Sequence, residues 1–219
     1  MPTDWLLPIH IAVLGYWLGA ELVINSTFRY VCSQPGIPMQ ERNRLMDHVM
    51  TVDQHVRYAL VLQASLGPAI AIFYGYAPGG AAVAYGFLAM GALWLGFVEL
   101  VHRRRHGGGG RVLAAIDRGS RYLLIVLLLA VALGLIGSGW PLPGWLRLKM
   151  ALFAGVVMCG VGIRLALIDL FGTWRTMMTD GSNAAREQAV RRAAWRGTAV
   201  VGLLWVFIAA IFVVSVWKP

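Results

Sequence analysis

The sequence predicts an all-α, polytopic membrane helical bundle of six transmembrane helices, built as three parallel two-helix repeats. Three observations predict it. Hydrophobic residues occupy 58% of the 219 positions and charged residues only 13%, and the mean hydropathy is +0.67, far from the balance of a soluble domain. Six apolar stretches fill most of the chain, each near or above the ~20 residues that a helix needs to cross hydrocarbon. The positive charges fall almost entirely in alternate gaps between those stretches. The stretches do not alternate with the period of two that a transmembrane β-barrel requires.

The first span, about 5–27, has no Lys or Arg in residues 1–7 ahead of it, so it is expected to remain in the mature protein and not to be removed as a signal peptide. Gly15 and Gly19 mark a face that another helix can approach closely. Pro35-Gly36-Ile37-Pro38 then breaks the chain, and the charged run Met39 to Met50 is expected to carry the second helix beyond the membrane. Met46 and Met50 lie on one face with His48 near by; packing is the expected use, and a copper shuttle the lesser one. The second span, about 54–76, opens on Asp53 and Arg57, and the third, about 81–101, carries Glu99. His106 to Gly110 is flexible by composition. The fourth span, about 120–138, is entered past Asp117 and Arg121. The fifth, about 146–170, holds Lys149 near its start and Arg164 fifteen residues on. Asp180 to Arg196 reads as a polar surface helix ahead of the last span, about 195–217. Cys32 falls in a gap and Cys159 in mid-span, so no disulfide framework follows.

The net charge of +9 would suggest nucleic acid in a soluble chain. Here its placement decides otherwise. Arg42 and Arg44 flank the first gap, Arg103 to Arg105 the third, and Arg191 and Arg192 the fifth, whereas the second gap is uncharged and the fourth carries little. The positive-inside rule therefore puts both termini outside the cytoplasm, on the periplasmic side of a bacterial inner membrane. The arginines face anionic headgroups, so the lipid bilayer is the expected partner and nucleic acid is not. A membrane redox partner or a second copy of the chain are the further partners expected.

Residues 1–219 read as a single integral membrane domain with hairpin units at about 1–78, 79–143 and 144–219. Trp17-Leu18-Gly19-Ala20-Glu21-Leu22-Val23 recurs, with one insertion, as Trp94-Leu95-Gly96-Phe97-Val98-Glu99-Leu100-Val101, and Asp53-x-x-x-Arg57-Tyr58 recurs as Asp117-x-x-x-Arg121-Tyr122. Each unit enters and returns, so the repeats share one orientation and differ from inverted transporter halves. Asp53 with Arg57, and Asp117 with Arg121, are four residues apart and can pair on a helix face at the interface. In the third unit Arg164 stands where Glu21 and Glu99 stand in the others. A buried charge layer in which Arg164 meets Glu21 or Glu99 is the arrangement that electroneutrality favours.

His10 lies about five residues inside the first span, and an ionisable group there is a functional candidate. Lys149 enters the same leaflet at about the same depth. Glu21 follows His10 by close to three turns, on the same face and ~16 Å further in. Imidazole in a low-dielectric bundle is a good axial ligand for haem iron and an acceptable one for copper. A histidine merely hydrogen-bonded to a carbonyl, and a lysine snorkelling outward, are the plainer alternatives. His55 is separated from His10 by most of the bilayer. The chain has no His-x-x-x-His pair, Cys-x-x-Cys, phosphate loop or nucleophile elbow.

The string His10-x6-Trp17-x-Gly19, joined with Lys149 and Arg164, resembles the membrane superfamily that contains the copper-resistance protein D domain and the bacterial haem-binding protoporphyrinogen IX oxidases. The resemblance covers the first and fifth spans best. The oxidase branch implies a bundle binding haem b, with His10 as the metal ligand and Lys149 and Trp17 as further cofactor-binding residues. The chain departs from that branch where Glu21 and Asn25 replace a proline-arginine pair, which points away from porphyrinogen oxidation. The copper branch implies copper uptake, yet the outer loops lack methionine- and histidine-rich character. The leading expectation is haem b in the bundle with a redox or electron-transfer role, and no catalytic residue is assigned. The alternatives are transport of copper or a small solute, and a non-catalytic membrane subunit of a larger complex.

Overall fold

A computed structural model of the chain describes residues 4–104 and 110–218. They form six helices: α1 Leu6–Ser33, α2 Met39–Phe73, α3 Gly80–Arg103, α4 Gly110–Ala132, α5 Gly144–Asp180 and α6 Ala184–Trp217. Among the described residues there is no strand. Five of the helices, all but α4, are long and apolar enough to cross a membrane. α4 falls short because Asp117, Arg118 and Arg121 stand inside its 23 residues.

Each boundary has a local cause. Pro35 and Pro38 flank the break between α1 and α2, where a proline cannot continue the preceding helix. The run from Met39 is one helix with the second span, as expected. α4 ends at Ala132, six residues before the expected end of its span. Gly134 adopts φ 74°, and the Leu135 amide donates to the Ala130 carbonyl at 2.8 Å, a left-handed termination that glycine permits. Arg147 seals that end by donating from Nη1 to the Val131 carbonyl at 3.0 Å. The stretch after Asp180 is not a separate surface helix. It is a turn at Gly181 to Asn183 followed directly by α6, whose first turn is capped by the Asn183 side chain accepting from the Arg186 amide at 2.9 Å. Of the expected flexible segment His106 to Gly110, residues 106–109 lie outside the described residues, and Gly110 opens α4.

Sequence neighbours pack along their lengths at α1–α2, α2–α3, α4–α5 and α5–α6, whereas α3 and α4 touch only briefly. α6 returns to α1, and α2 meets α5, so the six helices close on one another. Small residues set the closest approaches. A Cβ on Gly91 of α3 would overlap the Ser65 side chain of α2, and one on Gly155 of α5 would stand 2.9 Å from the Phe207 ring of α6. Gly15 and Gly19, by contrast, face open space, so that stripe is not a packing face within the chain.

The bundle has two unlike ends. At the terminal end, Tyr76, Leu142, Trp145 and Leu146 form a small apolar cluster over which Lys218 lies, 5.2 Å from the Tyr76 ring centroid. At the opposite, arginine-rich end, α1, α2, α5 and α6 continue together around a core that includes Phe28, Val31, Met46, Leu170, Trp174 and Val190. Met46 and Met50 belong to this packing, and His48 is exposed, so the methionines serve the core.

Candidate functional site

The mid-bundle core of Trp17, Ala59, Val156, Cys159, Leu204 and Ile208 separates two polar regions. The first lies toward the terminal end. His10 is half-buried on α1, and its Nδ1 is buried without a hydrogen-bond partner. α2 faces it through Gly67, where an added Cβ would stand 3.8 Å from the His10 Cε1 atom. One turn earlier, the Gln63 amide donates from Nε2 to the His10 carbonyl at 2.9 Å, pinning α1 to α2 at this level. Pro68, inside α2, cannot donate to the carbonyl four residues back, so the helix is locally open beside the imidazole. Lys149 is half-buried on α5 and close enough for its charge to act on the imidazole. Lys218 acts on Lys149 in turn. His10 and Lys149 are thus brought together, from helices whose sequence positions are 139 residues apart.

Trp17 does not join them. It is buried in the mid-bundle core, and its indole Nε1 donates to Glu21 Oε1 at 3.4 Å.

The second region is a charged belt nearer the arginine-rich end. Both expected interface pairs form: Arg57 Nη2 lies 2.9 Å from Asp53 Oδ2, and Arg121 Nη2 lies 3.1 Å from Asp117 Oδ2. The two pairs also act on each other, because Arg121 feels the charges of Arg57 and Asp53. Glu21, 5% exposed, feels Asp53. Arg164 joins the belt beside Arg57, Arg121 and Asp117. The expected layer of Glu21, Glu99 and Arg164 therefore divides. Glu99 sits apart on the seam between α2 and α3, accepting from the Tyr58 hydroxyl and from Arg103 Nε at 2.5 Å. Arg164 pairs with neither glutamate, because it points toward α4; repeat alignment fixes a residue's depth but not its azimuth.

His55 is engaged with Tyr16, whose hydroxyl is hydrogen-bonded to His55 Nδ1 at 2.5 Å. Among the described residues no group of three or more His, Cys, Asp or Glu side chains is placed to hold a metal ion. Both cysteines are free and buried.

One network escaped sequence reasoning. Arg42, 1% exposed, forms a fork with Glu187 through Nη1–Oε1 at 2.6 Å and Nη2–Oε2 at 3.1 Å. Its Nε donates to the Val31 carbonyl at 3.0 Å, and its guanidinium lies 5.1 Å from the Trp174 ring centroid. Ser182 donates to Glu187 at 2.6 Å. The partners are 145 positions apart, so no local spacing announces them.

Comparison of the chain with family models, with curated proteins and with solved structures finds no match.

Proposed function

We propose that this chain is a six-span inner-membrane protein that binds haem b through His10 and serves a redox or electron-transfer role. The single observation that carries the reading is the buried, unpartnered Nδ1 of His10. A buried polar atom without a partner is costly and calls for an occupant. Copper or zinc sites need two to four protein ligands. Haem brings four nitrogen donors of its own, so one imidazole suffices. The donor set present, one histidine with a lysine near it, fits haem better than a bare ion.

In this reading His10 would hold the haem iron, and Gln63 fixes the height of His10 by holding its carbonyl. Lys149, whose charge reaches His10, would hold a propionate of the bound haem as a point charge. Trp17 orients Glu21 from the side of the belt. When bound, haem would supply a one-electron couple tuned by the burial around it. The resemblance carried by His10, Trp17 and Lys149 supports the same assignment.

The topology is part of the proposal. α4 counts as the sixth span because Asp117 and Arg121 face inward at the belt while Leu123, Val126 and Leu127 are exposed on its flank. The mutual approach of the pairs Asp53–Arg57 and Asp117–Arg121 supports repeats of one orientation. Both termini then lie in the periplasm, and a reporter fused after Pro219 is expected to be active only outside the cytoplasm.

Purified protein supplied with haem during expression is expected to show the sharp reduced bands of a b-type haem, and His10→Ala to abolish them. A spectrum without those bands, or one that survives His10→Ala, rejects the reading. One observation favours a second reading, passage of copper or a small solute. Glu21 is a buried carboxyl beside Asp53, in the interior of the bundle, and such groups mark ion and solute paths. Metal analysis and uptake assays on the Glu21→Gln variant distinguish it.

A further inference from the structure

Between α4 and α5, a cleft of about 170 Å³ is lined by Arg118, Arg121, Tyr122, Arg164, Leu165 and Ile168, together with Val161. Its composition is divided. Three guanidinium groups line it, while Tyr122, Leu165 and Ile168 are 51%, 60% and 61% exposed on the apolar flank that a bilayer covers.

The charges here do not balance. Arg164 feels Arg57, Arg121 and the exposed Arg118, and Arg121 feels Arg57, with only Asp53 and Asp117 among them, four positive groups against two negative. An ionised Glu21, next to Asp53, still leaves an excess of one. Asp53 is taken by Arg57 and Asp117 by Arg121. Among the described residues, Arg164 and Arg118 have no carboxylate at ion-pair distance. An uncompensated guanidinium at the edge of hydrocarbon is expensive, so the cleft lacks an anion.

We propose that this cleft is a binding site for the phosphate of an anionic phospholipid, held by Arg164 and Arg118 and completed by Arg121. Planar guanidinium groups take phosphate oxygens in pairs. Basic pockets between membrane helices, at the level where the chain leaves the bilayer, suit such headgroups. Tyr122, Val161, Leu165 and Ile168 give an acyl chain a surface to lie against, and Val161, nearly one turn before Arg164 on α5, carries that surface toward the middle of the bilayer. A soluble anion would have no use for that half of the lining. The site is separate from His10: Arg164 lies fifteen residues, ~22 Å by helical rise, below Lys149, and its occupancy does not depend on the haem reading.

Native mass spectrometry of the detergent-solubilised chain, titrated with phosphatidylglycerol or with phosphatidylcholine of the same acyl chains, tests the proposal. One phosphatidylglycerol is expected to be retained under activation that strips phosphatidylcholine. The double variant Arg118→Gln/Arg164→Gln is expected to lower that occupancy roughly tenfold or more. Arg175→Gln removes one charge from an exposed position of α5 outside the cleft and is expected to leave it unchanged. Leu165→Trp, which keeps every charge and fills the apolar mouth from its exposed side, is expected to lower it as well and guards against misfolding of the double variant. Equal retention of the two lipids, an equal loss in Arg175→Gln, undiminished binding in Leu165→Trp, or displacement of the lipid by inorganic phosphate would overturn it.

Discussion

Arg42 and His10 stand toward opposite ends of one bundle, and the two ends treat polar atoms in opposite ways. Around Arg42 each guanidinium nitrogen has a partner: a forked carboxylate, a backbone carbonyl and an aromatic face surround it, and Ser182 completes Glu187. Around His10 the backbone is tied down, by Gln63, while the ring nitrogen Nδ1 is left over. The contrast separates polar residues that join helices from polar residues that await something else. A network that fastens α2 to α6 has to be complete, because a half-satisfied ion pair is worse than none. A side chain that is to hold a cofactor, as proposed for His10, has to be incomplete.

Removing one partner from the satisfied end is expected to give the largest effect. Arg42→Ala leaves Glu187 buried and unpaired and is expected to cost about 3–5 kcal/mol, read as a fall in the thermal midpoint in detergent. Arg42→Met combined with Glu187→Leu removes both charges and is expected to recover most of that loss. Recovery no better than the single variant would mean that the pair does more than balance itself. Compared in haem-free protein, His10→Leu is expected to change stability by no more than about 1 kcal/mol, since Nδ1 has no hydrogen bond to lose. A large destabilisation would erase the contrast between the ends. Trp205 carries the other buried, unpartnered side-chain atom found among the described residues, its Nε1. Trp205→Phe is expected to be neutral, or stabilising by up to about 1 kcal/mol, in the same melt. The smallest effect belongs to Arg44, whose pair with Glu41 is exposed to water. Arg44→Gln is expected to leave the midpoint unmoved, because solvent-screened pairs contribute little.

What was legible in the sequence divides along physical lines. Long apolar runs announced the helices because length and hydropathy are properties of the chain alone. Asp53–Arg57 and Asp117–Arg121 were legible for the same reason: a four-residue spacing closes within one helix, whatever packs beside it. The approach of Lys149 to His10 followed from depth arithmetic along two helices, with the fold supplying the facing directions. Arg164 shows where such arithmetic stops. Its depth was read well enough, but its partner depends on how α5 is rotated against α4, which packing sets. The Arg42–Glu187 fork was invisible because its parts come from opposite ends of the chain and meet only when α2 and α6 do. The early end of α4 was missed for a subtler cause. Leu133, Leu135 and Ile136 are apolar, so the run continues in composition after Gly134 has turned the backbone.

The helices are unequal in length, and this has a practical consequence. α2, α5 and α6 contain 35, 37 and 34 residues, whereas α3 and α4 contain 24 and 23. At 1.5 Å per residue the long ones run to about 51–56 Å and the short ones to about 35 Å, against a hydrocarbon slab of about 30 Å. A rigid, lopsided stub stands clear of the detergent belt on one side only. For imaging of single particles, in which small membrane proteins vanish into the round outline of their micelles, that stub is a built-in landmark from which orientation and handedness can be assigned without an added antibody fragment.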